Sequence, residues 1–297
     1  AEALAAAYSN NPTLNAQRAS LRATDEGVPQ ALAAFRPTVS AGATASYGSS
    51  SSANPLRNGT SLTGGVSLTI EQPLFTGHRT TNGLKIAETA VLAGREVLRN
   101  TEQNTLLQAA TAFMDLVQAQ AILNLRRENV QFLREQVRAA QDRLNVGEGT
   151  RTDVAQTDAS LAAAEAGYNS AVANLNSAIA TYEQVIGHRP KSLGTARPVD
   201  SRLPKSLNAA LADAMTGHPS ILASGYNIDI AEFNVKVLEG ALLPTLSVSG
   251  SLSHEGTEGG ASVSSASAVA RLSVPIFQGG APSSKVRQGK ETLGQRR

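Results

Sequence analysis

The chain has no cysteine, which excludes a disulfide frame, a thiolate nucleophile and thiolate metal ligands. Tryptophan is absent too, and aromatics make up only 4% of the 297 residues. A core of large rings is therefore excluded, and small residues must pack at helix seams. Charge of one sign is also lacking. The 26 basic and 24 acidic residues leave a net +2, which is no electrostatic footprint for nucleic acid. No unbroken run of about 18 apolar residues occurs, so no transmembrane helix is expected. A membrane β-barrel stays open, because its strands alternate and leave a weak signal. The opening AEALAAAYSNNP has neither a basic start nor an apolar centre, so no signal peptide is expected there.

Chemistry-bearing clusters are scarce. His78, His188, His218 and His254 have no His partner four residues away and no acid pattern suited to a metal, so neither metal nor cofactor is expected. Glycine pairs at 64–65, 259–260 and 279–280 lack the GxGxxG and P-loop contexts of phosphate binding. Asn58-Gly59-Thr60 matches a glycosylation pattern but reads as a plain loop. Glu148 and Asp153 flank a helix tip with no histidine nearby. Capping and gating explain them better than acid–base catalysis, and no enzyme is expected.

What the sequence does have is a repeat. ALAAAYSNNPTL from Ala3 matches ALADAMTGHPSI from Ala210, and Pro12 falls 207 residues before Pro219. Pro37 in FRPTVS and Pro244 in LLPTLS keep that offset. Pro73, Phe75 and Gly77 recur as Pro275, Phe277 and Gly279 at an offset of 202. The reading is a tandem duplication. The first copy covers 1–206: a helix, a strand pair at 38–74, a long helical hairpin at 78–186 and a linker at 187–206. The second, 207–297, is incomplete: a helix, a strand pair at 245–276 and the start of a long helix. The five missing residues fit a shorter hairpin loop.

Between the prolines the pattern has period two. Val39, Ala41, Ala43, Ala45 and Tyr47 face one way, with Thr38, Ser40, Gly42, Thr44 and Ser46 opposite. Leu62, Val66, Leu68 and Ile70 repeat this, as do Leu246, Val248 and Leu252, then Ala270, Leu272, Val274 and Ile276. A soluble sandwich with one wet face would alternate in the same way. Strands of about 10–13 residues, however, have the length needed to cross hydrocarbon when tilted. A polar side of Ser, Thr and Gly suits a water-filled lumen. Four strands cannot close a ring, since about eight are needed, whereas three chains would supply twelve.

Outside the prolines the period becomes 3.5. Leu84, Val91 and Leu98 are seven apart, and so are Leu116, Leu123, Val130, Val137 and Leu144. A helix from about 78 to 146 would be roughly 100 Å long at 1.5 Å per residue. Gly147 and Gly149 break it. Thr150 or Thr152 can cap the next helix, and Asp153 suits its first turn. There Leu161, Tyr168, Leu175 and Tyr182 form one heptad row, and Glu165, Val172, Ile179 and Ile186 another. The product is a long antiparallel hairpin. The following linker carries three prolines and five basic residues and reads as a solvated loop.

Taken together, SNNPTL, FRPTVSAGATASY, QPLFTG, RLNVGEGTRTDV, VIGHRP, LLPTLSVSGSL and VPIFQGG resemble the TolC-like outer-membrane channels of efflux and type I secretion systems. The resemblance covers essentially the whole chain in family order. It implies an α+β membrane channel. Four strands per chain join a homotrimeric 12-stranded β-barrel in outer-membrane lipid, and the long coiled-coil helices form an α-helical barrel in the periplasm. It implies passive conduction from an inner-membrane pump of ABC, RND or MFS type through a periplasmic adaptor. By the same resemblance Val146, Gly147, Glu148, Gly149, Thr150 and Arg151 dock on the adaptor, and Thr152 and Asp153 make gating contacts. Pro37, Pro73, Gly77, Pro244, Pro275 and Gly279 mark strand–helix junctions. The family continues through a second hairpin after Gly279, and the chain is expected to be truncated within it. Two alternatives share parts of the pattern. A flagellin-type coiled-coil protein is equally poor in Cys and Trp but lacks the offset repeat. A periplasmic adaptor has a long hairpin, but between lipoyl-like halves for which no motif appears here.

Overall fold

The computed structural model of the protein describes residues 2–50, 59–190, 193–194 and 203–297. Most of the first hairpin loop, with Asn58, and most of the basic linker lie outside the described residues. In chain order the elements are α1 (Glu2–Asn10), α2 (Pro12–Asp25), α3 (Gly27–Ala33), β1 (Thr38–Ser50), β2 (Gly59–Phe75), α4 (Arg79–Asn145), α5 (Arg151–Ile186), α6 (Leu207–Gly217), α7 (Pro219–Gly240), β3 (Thr245–Thr257), β4 (Ser262–Ser273) and α8 (Ala281–Arg296). The chain forms two compact units. One combines 1–19 with 98–215, the other 20–97 with 216–297, so each takes residues from both proposed repeats.

The first unit is helical. Its core is Ala7 from α1, Ala109 and Leu116 from α4, and Tyr182 and Ile186 from α5. Three of the heptad positions read from α4 are buried here, Leu116, Leu123 and Val130. In α5 Tyr182 and Ile186 of the expected rows are buried, and Ala164 and Ala171, seven apart and not read from the sequence, are buried with them, whereas Glu165 stays half-exposed and pairs with Arg134 of α4 at 2.8 Å. A methyl group lets the two helix backbones approach, which is how a chain poor in aromatics packs its seams.

The phrase shared by the two repeats has a local cause. Asn11 Oδ1 accepts from the backbone N–H groups of Thr13 and Leu14, at 2.9 and 3.2 Å, ahead of Pro12. His218 does the same for α7, its Nδ1 accepting from the Ser220 N–H at 3.2 Å ahead of Pro219. Each is a helix cap followed by a proline at the first helical position, where a missing N–H costs nothing.

Helix α4 has 67 residues and no proline. It contains an 18-residue window of mean hydropathy 1.3, which by length and composition could cross a membrane, against the expectation from unbroken apolar runs. Alanines scattered among polar residues raise the mean without forming a run. The helix turns Ala109, Ala112 and Leu116 inward, and 22% of that window is buried.

The second unit holds one antiparallel sheet in the order β1-β2-β3-β4. Thr38 pairs with Glu71 at the base of the first hairpin and Thr245 with Ser273 at the base of the second. Moving the first pair by the repeat offsets, 207 and 202, gives the second pair. Beside the sheet α8 packs on α7. Gly289 lies against Leu238 and Val235, and Lys290 and Arg297 pair with Glu239 and Glu232.

Candidate functional site

The sheet has two chemically distinct faces, and the register fixes them. Val39, Ala41, Ala43 and Tyr47 stand opposite Ile70, Leu68, Val66 and Leu62. Leu68 faces Leu252, and Leu246 faces Leu272. Side chains alternate with period two, so these residues share one face. That face is uncovered in the single chain. Val39, Val66, Leu252 and Leu272 are 64%, 58%, 56% and 64% exposed. A shallow trough of about 400 Å³ runs over it where Gly250, Ala266 and Ala268 lie between Leu68, Ile70 and Leu252. An apolar face of this size is an interaction surface.

The opposite face is hydroxyl-lined. Ser251 and Ser267 share a hydrogen bond of 2.8 Å across β3 and β4, and Ser253 and Ser265 one of 2.7 Å. Thr63 and Thr257 are 3.4 Å apart across β2 and β3. Glu71, Glu255 and Arg271 bring charge to this side, and Val263 and Val269 are apolar exceptions. The serine ladder was legible as alternation, but its mutual hydrogen bonds were not. At both sheet edges, β1 and β4, the backbone is unpaired among the described residues.

The expected junction residues occupy three kinds of position. Pro37 and Pro244 immediately precede β1 and β3. Pro73 lies inside β2 opposite Ser247, where the ladder shifts register before Phe75. The strand thus runs through the proline rather than stopping there, because a bulge absorbs the missing donor. Pro275 lies two residues beyond β4, which ends at Ser273 rather than at 276. Gly77 adopts φ 65 and Gly279 φ 60. A side chain at Gly77 would overlap the Gly240 carbonyl, and Gly240 would meet Gly77 in turn. Gly240 was not singled out from the sequence. Its signal is the glycine closing α7 just ahead of Pro244. Among the described residues His78 is the one outside glycine with a positive φ, 64, and its ring meets Phe75 edge-on at 5.2 Å between centroids.

At the hairpin tip the α4 backbone closes on itself. Gly147 N donates to Leu144 O at 3.1 Å and Glu148 N to Arg143 O at 2.8 Å, with Gly147 at φ 83. Val146 stands 72% exposed. Of the two candidate caps, Thr150 does the work. Its Oγ1 accepts from the Asp153 N–H at 3.2 Å, while Asp153 Oδ2 accepts from the Thr150 N–H at 2.9 Å and hydroxyl at 2.7 Å. This reciprocal box satisfies donors that a helix start leaves free. The Thr150 hydroxyl first, then its backbone N–H, holds the Asp153 carboxyl below the usual carboxylate range, and Arg143 adds to this. Arg151 opens α5, and Thr152 is exposed beside it.

A four-stranded sheet with one apolar and one hydroxyl-lined face, in a chain that also forms a long helical hairpin, has the fold of TolC-like outer-membrane proteins. The profile of the outer membrane efflux protein family matches residues 3–188, and the chain belongs to that family. It is 45% identical to the outer membrane efflux protein BepC of Brucella suis, over 99% of this chain and 64% of that protein. It is 27% identical to the alkaline protease secretion protein AprF of Pseudomonas aeruginosa, over 76% of this chain and 49% of that one. The fold is that of TolC-like channels. The Campylobacter jejuni CmeC outer membrane channel superposes with a TM-score of 0.86 at 16% identity, covering 99% of this chain and 65% of CmeC. The chain thus spans about half to two thirds of the length of these relatives. Family membership places the protein in the outer membrane, in a family of efflux proteins.

Proposed function

We propose that three copies close their sheets into a 12-stranded β-barrel and their hairpins into a periplasmic helical barrel, forming the passive exit duct of a tripartite efflux or type I secretion system. The carrying observation is the sheet itself: both edges are open and one face is apolar and uncovered. In lipid an open edge leaves backbone groups without partners, so the sheet must be closed by other chains. The hydroxyl-lined face then becomes the lumen. BepC is named for efflux and AprF for protease secretion, and both kinds of export suit such a duct.

The partners are a periplasmic adaptor and, through it, an inner-membrane pump of ABC, RND or MFS type. Val146, Gly147, Glu148, Gly149, Thr150 and Arg151 form the adaptor-docking tip, and Thr152 and Asp153 take part in gating. The exposure of Val146 and the tight, capped turn behind it support this reading. In the intact protein, Gly147→Pro or Asp153→Arg should reduce export or open the duct while trimers still assemble in the outer membrane. Loss of insertion in both variants, by membrane fractionation, would remove the tip from the docking role.

A further inference from the structure

We propose that the upper end of the apolar face is a binding site for one membrane lipid, with the headgroup phosphate on His254 and Ser264 and an acyl chain in the trough below them. The inference rests on the reading that this face meets lipid, and adds to it a particular ligand and the residues that hold it.

The starting observation is where the apolar pattern stops. On β3 this face is apolar from Leu246 to Leu252 and then reaches His254; on β4 it is apolar from Leu272 to Ala266 and then reaches Ser264. The two polar residues stand opposite each other, with His254 Nδ1 2.8 Å from the Ser264 hydroxyl. The repeat shows that this is a boundary and not a stray substitution. Moved back by 207 and 202, His254 opposite Ser264 becomes Tyr47 opposite Leu62. Both hairpins lose their apolar side chains on the next rung of this face, at Ser49 with Thr60 and at Gly256 with Ser262. From Leu246 to His254 the strand covers about 26 Å, or roughly 20 Å of membrane depth at a tilt near 40°. His254 thus stands near the upper limit of an apolar band about 25 Å tall, where headgroups begin.

The pair is built to hold an oxygen acceptor. When the Ser264 hydroxyl donates to Nδ1, the ring proton is on Nε2, which is left to donate to a ligand. Below the pair the surface is concave. A trough of about 500 Å³ runs from His254 and Ser264 past Val66 to Leu252 and Ala266. There it meets the trough of about 400 Å³ that continues over Gly250 and Ala268. The small residues open this groove between the larger Leu68, Ile70 and Leu252. A donor at one end of a continuous apolar groove has the polar-to-apolar order of a single lipid molecule. The order also agrees with the membrane, since the hairpin turn lies beyond the donor end and the helices beyond the other. The rung of His254 carries no charge of its own, with Val66 beside it on β2 and Ala43 on β1. Glu255 takes the opposite face, and Glu258 lies in the turn above, its backbone N–H donating to Leu62 O at 2.8 Å. An anionic headgroup therefore meets no like charge on that rung. Inorganic phosphate would use the donor and leave the groove unfilled, so the occupant is a lipid with an uncovered phosphate.

The chain has no tryptophan, so Ile70→Trp gives it a single fluorophore at the lower end of the groove. The intact protein carrying this reporter is placed in phosphatidylcholine vesicles. Quenching is measured with brominated phosphatidic acid, whose phosphate is uncovered, and with brominated phosphatidylcholine, whose choline covers it. Phosphatidic acid should occupy the groove about fivefold more readily, the effect of one net hydrogen bond. His254→Gln combined with Ser264→Ala should bring the ratio to one, and Ala268→Leu, which fills the groove, should lower it as well. Quenching by both lipids shows that each variant is inserted. Equal quenching in the parent, or a preference that survives the double substitution, would overturn the site. A ratio untouched by Ala268→Leu would overturn the acyl-chain groove. Displacement of phosphatidic acid by millimolar inorganic phosphate would make this a free-anion site and overturn the lipid. No quenching by either lipid would remove the lipid-facing reading of the sheet itself.

Discussion

The two strand-to-helix junctions are spelled almost alike, PLFTG at 73–77 and PIFQG at 275–279, yet their surroundings differ. Both glycines have positive φ, 65 at Gly77 and 60 at Gly279. Around Gly77 the chain is closed. A side chain there would collide with the Gly240 carbonyl and reach 3.0 Å from Leu243 Cβ. Around Gly279 nothing lies within 4 Å. The residue after each glycine is also left-handed, His78 in one case and Gly280 in the other. The sharp turn is thus written into the local sequence, whereas close backbone packing requires a neighbouring junction. The first turn finds that neighbour in its own chain.

The strongest way to break this comparison is to put a methyl group at each glycine. Ala in the left-handed region costs about 1–2 kcal/mol at either site. At Gly77 the methyl must also displace the backbone of Gly240, and forced overpacking adds about 1–3 kcal/mol. Gly77→Ala should therefore lower the thermal midpoint of the detergent-solubilised protein well below that of Gly279→Ala. Equal losses would mean that Gly279 is covered as tightly as Gly77. Among the described residues nothing provides such cover, so equal losses would place packing on Gly279 from outside them.

The contrast also marks how far the sequence could be read. The offset of Pro37 and Pro244, the alternation through Val39 to Tyr47 and the break at Gly147 are local patterns, and the strands, hairpin and turn follow them. The heptad row at Leu116, Leu123 and Val130 was legible for the same reason. Other features depend on what lies across from a residue, which no window along the chain contains. Gly240 looks like any helix-ending glycine until Gly77 is placed against it. Ala164 and Ala171 outrank Glu165 at the seam because backbone approach selects small residues, a preference hydropathy does not rank. Pro73 was expected to mark a strand–helix junction. It sits inside the strand because β3 pairs on past it with Leu74 left over as the extra residue, information that lies some 170 residues away in sequence.

A turn outside the sheet sharpens the comparison, because its order comes from side chains and needs no neighbouring junction. Thr150→Ala removes the cap of α5 and should cost about 1 kcal/mol, with Thr150→Ser close to neutral. The loss also has a pH signature. Asp153 titrates below its unfolded value in the folded state, so its contribution is present above the unfolded pKa and is lost as pH falls through the folded one. Without the Thr150 hydroxyl, the largest cause of the lowering, that loss should occur at higher pH. A carboxyl titration of Asp153 by NMR checks the direction. An unchanged titration would assign the lowering to the backbone N–H and Arg143 instead.

The smallest expected effect tests whether the residue after the junction glycine matters by itself. His78→Gly makes the first junction read as the second does, Gly-Gly. Relief of a left-handed side chain stabilises by about 1 kcal/mol or somewhat more. The extra freedom of glycine in the unfolded chain takes back roughly 0.4–1 kcal/mol. The edge-on contact with Phe75, at 5.2 Å between centroids, is lost as well. These terms nearly cancel, and the thermal midpoint should stay close to that of the parent. A loss larger than about 1.5 kcal/mol would exceed what an aromatic pair of this geometry supplies. It would show that His78 holds Phe75 in the extended end of β2, giving the first copy a clasp that Gly280 cannot provide, and the longer β2 would then owe its length to more than β3.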